Sequence, residues 1–270
     1  MTQRHRALLA ALATAFGLAG TAVFAETGSG EICTGFGPQS PRDIASGAGL
    51  NERITSIAPE SSMMNLCDIH LHVNAEHKAP GFSTFAGDGI YGGFQCNETT
   101  ELTEAELTAP GDGTGASFGV RPGDTVEVHW VYTSCAVEPG PTLGSCFTEA
   151  CPNPQLRVET QVYLAVNDPG QVDFLDYTLN PEPIDGYYQS KTVPFGTGDP
   201  VTYTGSTTGP SFSQATCSPF QVTWSVRPQC AKLNVASLYE WFAGGNAFDE
   251  HHAHGVRALV VSQELLSAFD

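Results

Sequence analysis

Residues 124–133 read DTVEVHWVYT. Val126, Val128, Trp130 and Tyr132 fall two apart, with Glu127, His129 and Val131 between them, which is the period of a β-strand with one apolar face and one mixed face. Runs of the same kind recur at Leu156–Val166 (LRVETQVYLAV), Val201–Tyr203 and Phe220–Val226 (FQVTWSV), bounded by Pro, Gly, Asp and Ser. Trp130, Tyr163 and Trp224 bring the aromatic bulk that strands favour. Helical candidates are minor: Glu101–Leu107, Val235–Phe242 and the tail Gln263–Phe269.

Dispersed strands without β-α-β alternation predict a single, mainly β domain built on a twisted, mostly antiparallel sheet with a few short helices. No internal repeat or long linker divides it. The turn-rich stretches Glu138–Ser145, Asn180–Gly186 and Pro194–Pro200 are the expected loops.

The first 25 residues have a different character. A basic Met1–Arg6 segment, an apolar run from Ala7 to Ala22 and the small-residue site Val23-Phe24-Ala25 make a secretory signal peptide, so 26–270 is the expected domain. Gly17, Gly20 and Thr21 interrupt the run, which speaks against a membrane anchor. The chain of 270 residues carries 11 basic and 29 acidic side chains, a formal charge of −18, and loss of Arg4 and Arg6 with the leader makes it more acidic still. Such a surface repels nucleic acid and anionic membranes. All eight cysteines lie beyond the leader, an even number suited to disulfides in a periplasmic or secreted protein. No C-x-x-C pair offers a cysteine zinc site; Cys146 and Cys151 have four residues between them.

Upstream of the first quoted strand, residues 67–78 read CDIHLHVNAEHK, three histidines and two carboxylates in twelve positions. On a strand His70 and His72 share a face and can hold one metal ion. Histidine pairs of this kind are common on exposed strands, so the rest of the chain has to weigh in. Glu127 and His129 repeat the pattern of an acid two residues ahead of a histidine, as Asp68 stands to His70. The acid is placed to accept the second N–H of a ligating imidazole and fix its tautomer. Three histidines with an open fourth position are the arrangement of a catalytic rather than a structural zinc. His77, next to Glu76 and expected to face the other way on the strand, reads as a hydrogen-bonded structural histidine. A zinc peptidase, which would need H-E-x-x-H or H-x-x-E-H, is a weak reading, since His72 to His77 has one residue too many for the latter.

CDIHLHVNAEHK, EVHW and YTGSTTGP…CSPFQVTW together resemble the delta-class carbonic anhydrases, and they follow the motif order of the alpha class. Gln39-Ser40-Pro41-Arg42-Asp43-Ile44 and the ending Glu250–Val260 extend the resemblance towards both ends. It implies an alpha-like, predominantly β fold and a zinc-dependent hydration of CO2 to bicarbonate by hydroxide generated at the metal. His70, His72 and His129 would hold Zn2+, with Co2+ or another divalent ion also suited to imidazoles. Glu127, Asp68 and His77 would be the outer hydrogen-bond partners. Thr208 would accept a hydrogen bond from the metal-bound hydroxide and donate its own hydroxyl to Glu76, and so orient the attacking oxygen. Val131, Val158, Val222 and Trp224 would line the CO2 pocket, with Thr207 where a leucine is usual. Cys33 and Cys217 would form a disulfide.

The other six cysteines remain without assigned partners, as does the oligomeric state. His251, His252 and His254 are proton-shuttle candidates by residue type, a solvated histidine cluster being the alternative. A non-catalytic metal-binding module on the same fold, or a zinc esterase, would share these ligands; comparing ester hydrolysis with CO2 hydration separates the two enzymes.

Overall fold

In a computed structural model, residues 31–111 and 114–270 are described; the leader expected at 1–25 lies outside them. The long mixed sheet runs in the order β1 (Asn65–Val73), β4 (Thr125–Thr133), β5 (Leu156–Val166), β7 (Gln221–Val226) and β6 (Val201–Ser206), with β8 (Ala231–Asn234) also on β5. A two-stranded hairpin, β2 (Thr84–Gly87) and β3 (Gly93–Gln95), stands apart. The sequence pattern announced β4 to β7; β2, β3 and β8 are too short to carry a period.

β1–β4, β4–β5 and β6–β7 are antiparallel, whereas β7 and β8 both run parallel to β5. That is where the sheet departs from a mostly antiparallel reading. β5 pairs with β4 along one edge, while its other edge is shared by β7 at Arg157–Thr160 and β8 at Tyr163–Val166. Flanked on both edges and covered on both faces, all eleven of its residues are buried.

Alternation sorts the side chains cleanly. One face turns Leu66, Ile69, Leu71, Val126, Val128, Trp130 and Tyr132 towards α2 (Val235–Ala243), which buries Val235, Leu238, Trp241 and Phe242 against them. The spacing of those four residues keeps them on one side of the helix. Asn234 caps the helix by accepting from Ala236 N–H. Each large apolar side chain so buried contributes roughly 1.5–3 kcal/mol, and truncating Trp241 to alanine would cost about 3–5 kcal/mol. The opposite face carries Val131, Val158, Val162, Val222 and Trp224, and is the face of the site.

Of the three helical candidates, Val235–Phe242 is present as α2 at Val235–Ala243, and the other two are shorter than the sequence suggests. The first candidate is reduced to α1 (Glu104–Leu107), started by a capping box between Thr103 and Glu106, and the C-terminal tail has only a single 3-10 turn at Gln263–Leu265. No helix among the described residues is long and apolar enough to cross a membrane. Four cysteine pairs stand at disulfide distance: Cys33–Cys217, Cys67–Cys146, Cys96–Cys230 and Cys135–Cys151. Such bonds are typical of extracellular proteins.

Candidate metal centre

The register of β1 on β4 sets His70 opposite His129 and His72 opposite Glu127. A bulge between Leu66 and Asp68 precedes the site, and from Asp68, opposite Val131, the regular alternation of the strand keeps Asp68 on the same face as the two histidines. Three imidazoles from two neighbouring strands therefore meet on one surface. Their ring centroids lie 4.8–5.1 Å apart.

Hydrogen bonds decide which nitrogens are left over. His70 Nδ1 lies 2.7 Å from Asp68 Oδ2, and His72 Nδ1 donates to the Gly255 carbonyl at 2.9 Å. Each leaves its Nε2 free to face the others. His129 is turned the opposite way, with Nε2 on Glu127 Oε1 at 3.3 Å and Nδ1 3.3 Å from His70 Nε2. His72 Nε2 is buried without a hydrogen-bond partner. A buried polar atom in that condition costs free energy unless something coordinates it.

Burial pushes His72 down to about 3 and His129 down to about 4, in both cases against the pull of nearby glutamates. Both imidazoles are thus neutral at neutral pH, the form that offers a lone pair to a cation. His70 differs: burial lowers its pKa, but the Asp68 charge and hydrogen bond outweigh that and the net shift is upward. The trio could hold a metal ion through His70 Nε2, His72 Nε2 and His129 Nδ1.

Behind the trio lies a second buried group of Glu76, His77, Glu127 and His129. Glu127 is its hub. Its Oε1 takes His77 Nδ1 at 2.5 Å, and its Oε2 accepts the backbone N–H groups of Glu76 and His77 at 2.5 and 3.2 Å. His77 Nε2 continues to the Tyr203 hydroxyl at 2.7 Å, and Tyr203 to Ser40 Oγ at 2.9 Å. With this many partners Glu127 is held well below the usual carboxylate range, the His77 charge and the two histidine bonds overcoming burial. Glu76 moves upward because burial dominates, although His129, His77 and a hydrogen bond from Thr208 oppose it.

One expectation about this group does not survive. Glu76 and His77 were expected to face opposite ways along a strand, but β1 ends at Val73 and Asn74 takes a positive φ of 63°. The chain bends there, and both side chains reach the same buried cluster.

A cleft of about 240 Å³ opens in front of the three imidazoles. Val131, Val158, Thr207, Val222, Trp224 and Thr208, all named from the sequence, line it. The Thr207 hydroxyl is engaged with Ser218 Oγ. The sequence reading missed Thr142, Leu143, Glu250 and Gly255, which complete the wall. Thr142 and Leu143 arrive on a loop pinned by Cys67–Cys146 and Cys135–Cys151. No local pattern announces them.

Of the C-terminal histidines, His254 lines the cleft and pairs with Glu250 at 2.7 Å, while His251 and His252 are exposed. The stretch bearing His254 lies along the edge of β1 through His254 N–H to Leu71 O and Val73 N–H to His254 O. Gly255 is required there, since a Cβ would come within 2.5 Å of the Ile90 carbonyl oxygen. The Cys33–Cys217 pair ties the N-terminal segment to the chain after the threonine loop.

A mixed β-sheet that gathers three imidazoles, two of them neutral by burial, at the foot of an apolar cleft defines a candidate metal-binding β protein. Residues 61–237 match the family model described as Delta carbonic anhydrase, and the chain belongs to that family. No curated protein and no solved structure matches it.

Proposed function

We propose that this chain is an exported, zinc-dependent carbonic anhydrase that reversibly hydrates CO2 to bicarbonate and a proton. The observation that carries the reading is the unpartnered, buried His72 Nε2 beside His70 Nε2 and His129 Nδ1, in a member of the delta carbonic anhydrase family. Neutral imidazoles suit zinc, and cobalt as a substitute. A zinc ion held there would act as a Lewis acid and bring the pKa of a water near 7, a figure taken from carbonic anhydrases in general.

The rest of the chemistry belongs to the chain. Val131, Val158, Val222, Trp224 and Leu143 give the cleft an apolar wall suited to a small, uncharged, linear molecule and poor at holding water. The Thr208 hydroxyl donates towards Glu76, which leaves its oxygen as an acceptor and so selects one orientation of a donor in the cleft. Glu127 accepts from His129 and His77, fixing the His129 tautomer that turns Nδ1 to the trio. Asp68 does the same for His70. The four disulfides support an oxidising destination, consistent with the leader read from residues 1–25.

Stopped-flow CO2 hydration by the oxidised protein, with its metal content assayed, tests the proposal. Fast hydration that disappears on chelation and returns with zinc is the expected result. A folded protein carrying a full equivalent of zinc and no hydration above buffer would overturn it.

A further inference from the structure

Arg257 lies beyond residues 61–237, the part matched by the family model, and its side chain is almost completely buried. Its guanidinium does not spend itself on an ordinary ion pair. Nη1 donates to the carbonyl oxygen of Ser40, to Ser206 Oγ at 3.1 Å and to the Thr207 carbonyl at 3.4 Å. Nη2 donates to Gln39 Oε1 at 3.1 Å and to the Ser213 carbonyl at 3.0 Å. Glu76 is the carboxyl whose charge acts most on it, and the Arg257 backbone N–H lies 3.5 Å from Glu76 Oε2.

One residue therefore touches Glu76 and the chain on either side of Thr208, though not Thr208 itself. Its fork grips the carbonyl next to Thr208 and the start and end of the loop that carries it, while its backbone meets the carboxyl that Thr208 addresses. Two positions earlier, Gly255 supplies the carbonyl that orients His72. The two Nη groups of a planar guanidinium reach this set of acceptors in a way that a lysine ammonium does not, while Nε is buried without a hydrogen-bond partner.

We propose that Arg257 is a positioning residue, which sets the Thr208 hydroxyl against Glu76 by clamping the Ser206–Ser213 loop to the Gln39–Ser40 segment. The inference rests on the proposed hydration for its kinetic consequence and on the geometry alone for its structural one. Arg257 touches none of the three imidazoles, so its loss should spare metal binding while loosening the threonine loop.

The test compares Arg257→Lys, Thr208→Ala and the double variant with the parent protein. Lysine keeps the charge and removes the fork. Expected for Arg257→Lys are a kcat for CO2 hydration roughly 10–100-fold lower, the range for loss of an orienting partner, and zinc affinity in chelator competition within about threefold of the parent. The double variant should be no slower than Thr208→Ala, because residues acting through one another are not additive. Amide hydrogen exchange, read on the zinc-free protein as well, should rise across 206–216 and stay unchanged in β1 and β4.

Unchanged exchange in the loop overturns the proposal, as does an additive double variant. A collapse of zinc affinity and of protection throughout the sheet also overturns it, since Arg257 would then be a general stabiliser. If the parent protein itself does not hydrate CO2, the hydration reading fails, and the exchange measurement still decides the clamp.

Discussion

His70 Nε2 and His129 Nδ1 stand 3.3 Å apart on directly opposed residues of β1 and β4. Fifty-eight positions intervene in the chain, yet the ladder makes them neighbours on one face. His70 Nδ1 is occupied by Asp68 and His129 Nε2 by Glu127, so the facing nitrogens are the ones left for a shared cation. His129→Ala should therefore lower zinc affinity by more than about 100-fold, beyond the range for losing an outer hydrogen-bond partner. Chelator competition measures the affinity, and circular dichroism checks that the sheet persists.

Asp68 is buried at the rim of the same cluster. Asp68→Ala takes away the group that orients His70 and raises its pKa, without removing a nitrogen from the trio. Zinc affinity should fall by roughly 10–100-fold, a smaller loss than for His129→Ala. Equal losses in the two variants would show that Asp68 does more than orient.

Cys67 sits on β1 three residues before His70, and Cys146 closes the loop that brings Thr142 and Leu143 to the cleft. Replacing both cysteines by alanine should cost about 2–5 kcal/mol in urea unfolding, as for other native disulfides. It should also free the Leu143 wall. CO2 hydration should lose kcat/KM while zinc content holds at one per chain.

Glu106 is depressed to about 2 by hydrogen bonds from Lys232 and from Thr103, with the Lys232 Nζ 2.5 Å away. A carboxyl whose pKa is lower folded than unfolded stabilises the fold fully above its unfolded value, near 4.5, and loses that contribution as pH falls towards the folded value. Thermal unfolding of the parent should drop between about pH 4.5 and 2. Glu106→Gln should start lower at neutral pH and show a shallower drop over that window.

Period two in DTVEVHWVYT already placed Glu127, His129 and Val131 on one face of a strand, and CDIHLHV did the same for Asp68, His70 and His72. Those assignments are local, because a pleat alternates whatever it is paired with. The resemblance to the delta-class carbonic anhydrases added Thr208, Glu76 and the Cys33–Cys217 pair; the two cysteines stand at disulfide distance, and Thr208 lines the cleft with its hydroxyl on Glu76. What the chain could not reveal one segment at a time was everything set by pairing and by bends. The register of β1 on β4 decides that His70 faces His129, the two parallel neighbours of β5 make the sheet mixed, and the bend at Asn74 turns Glu76 and His77 inward together. Leu143, Gly255 and Arg257 reach the site from loops and from the C-terminal segment, where no periodicity exists to read, and only the folded chain brings them within contact of it.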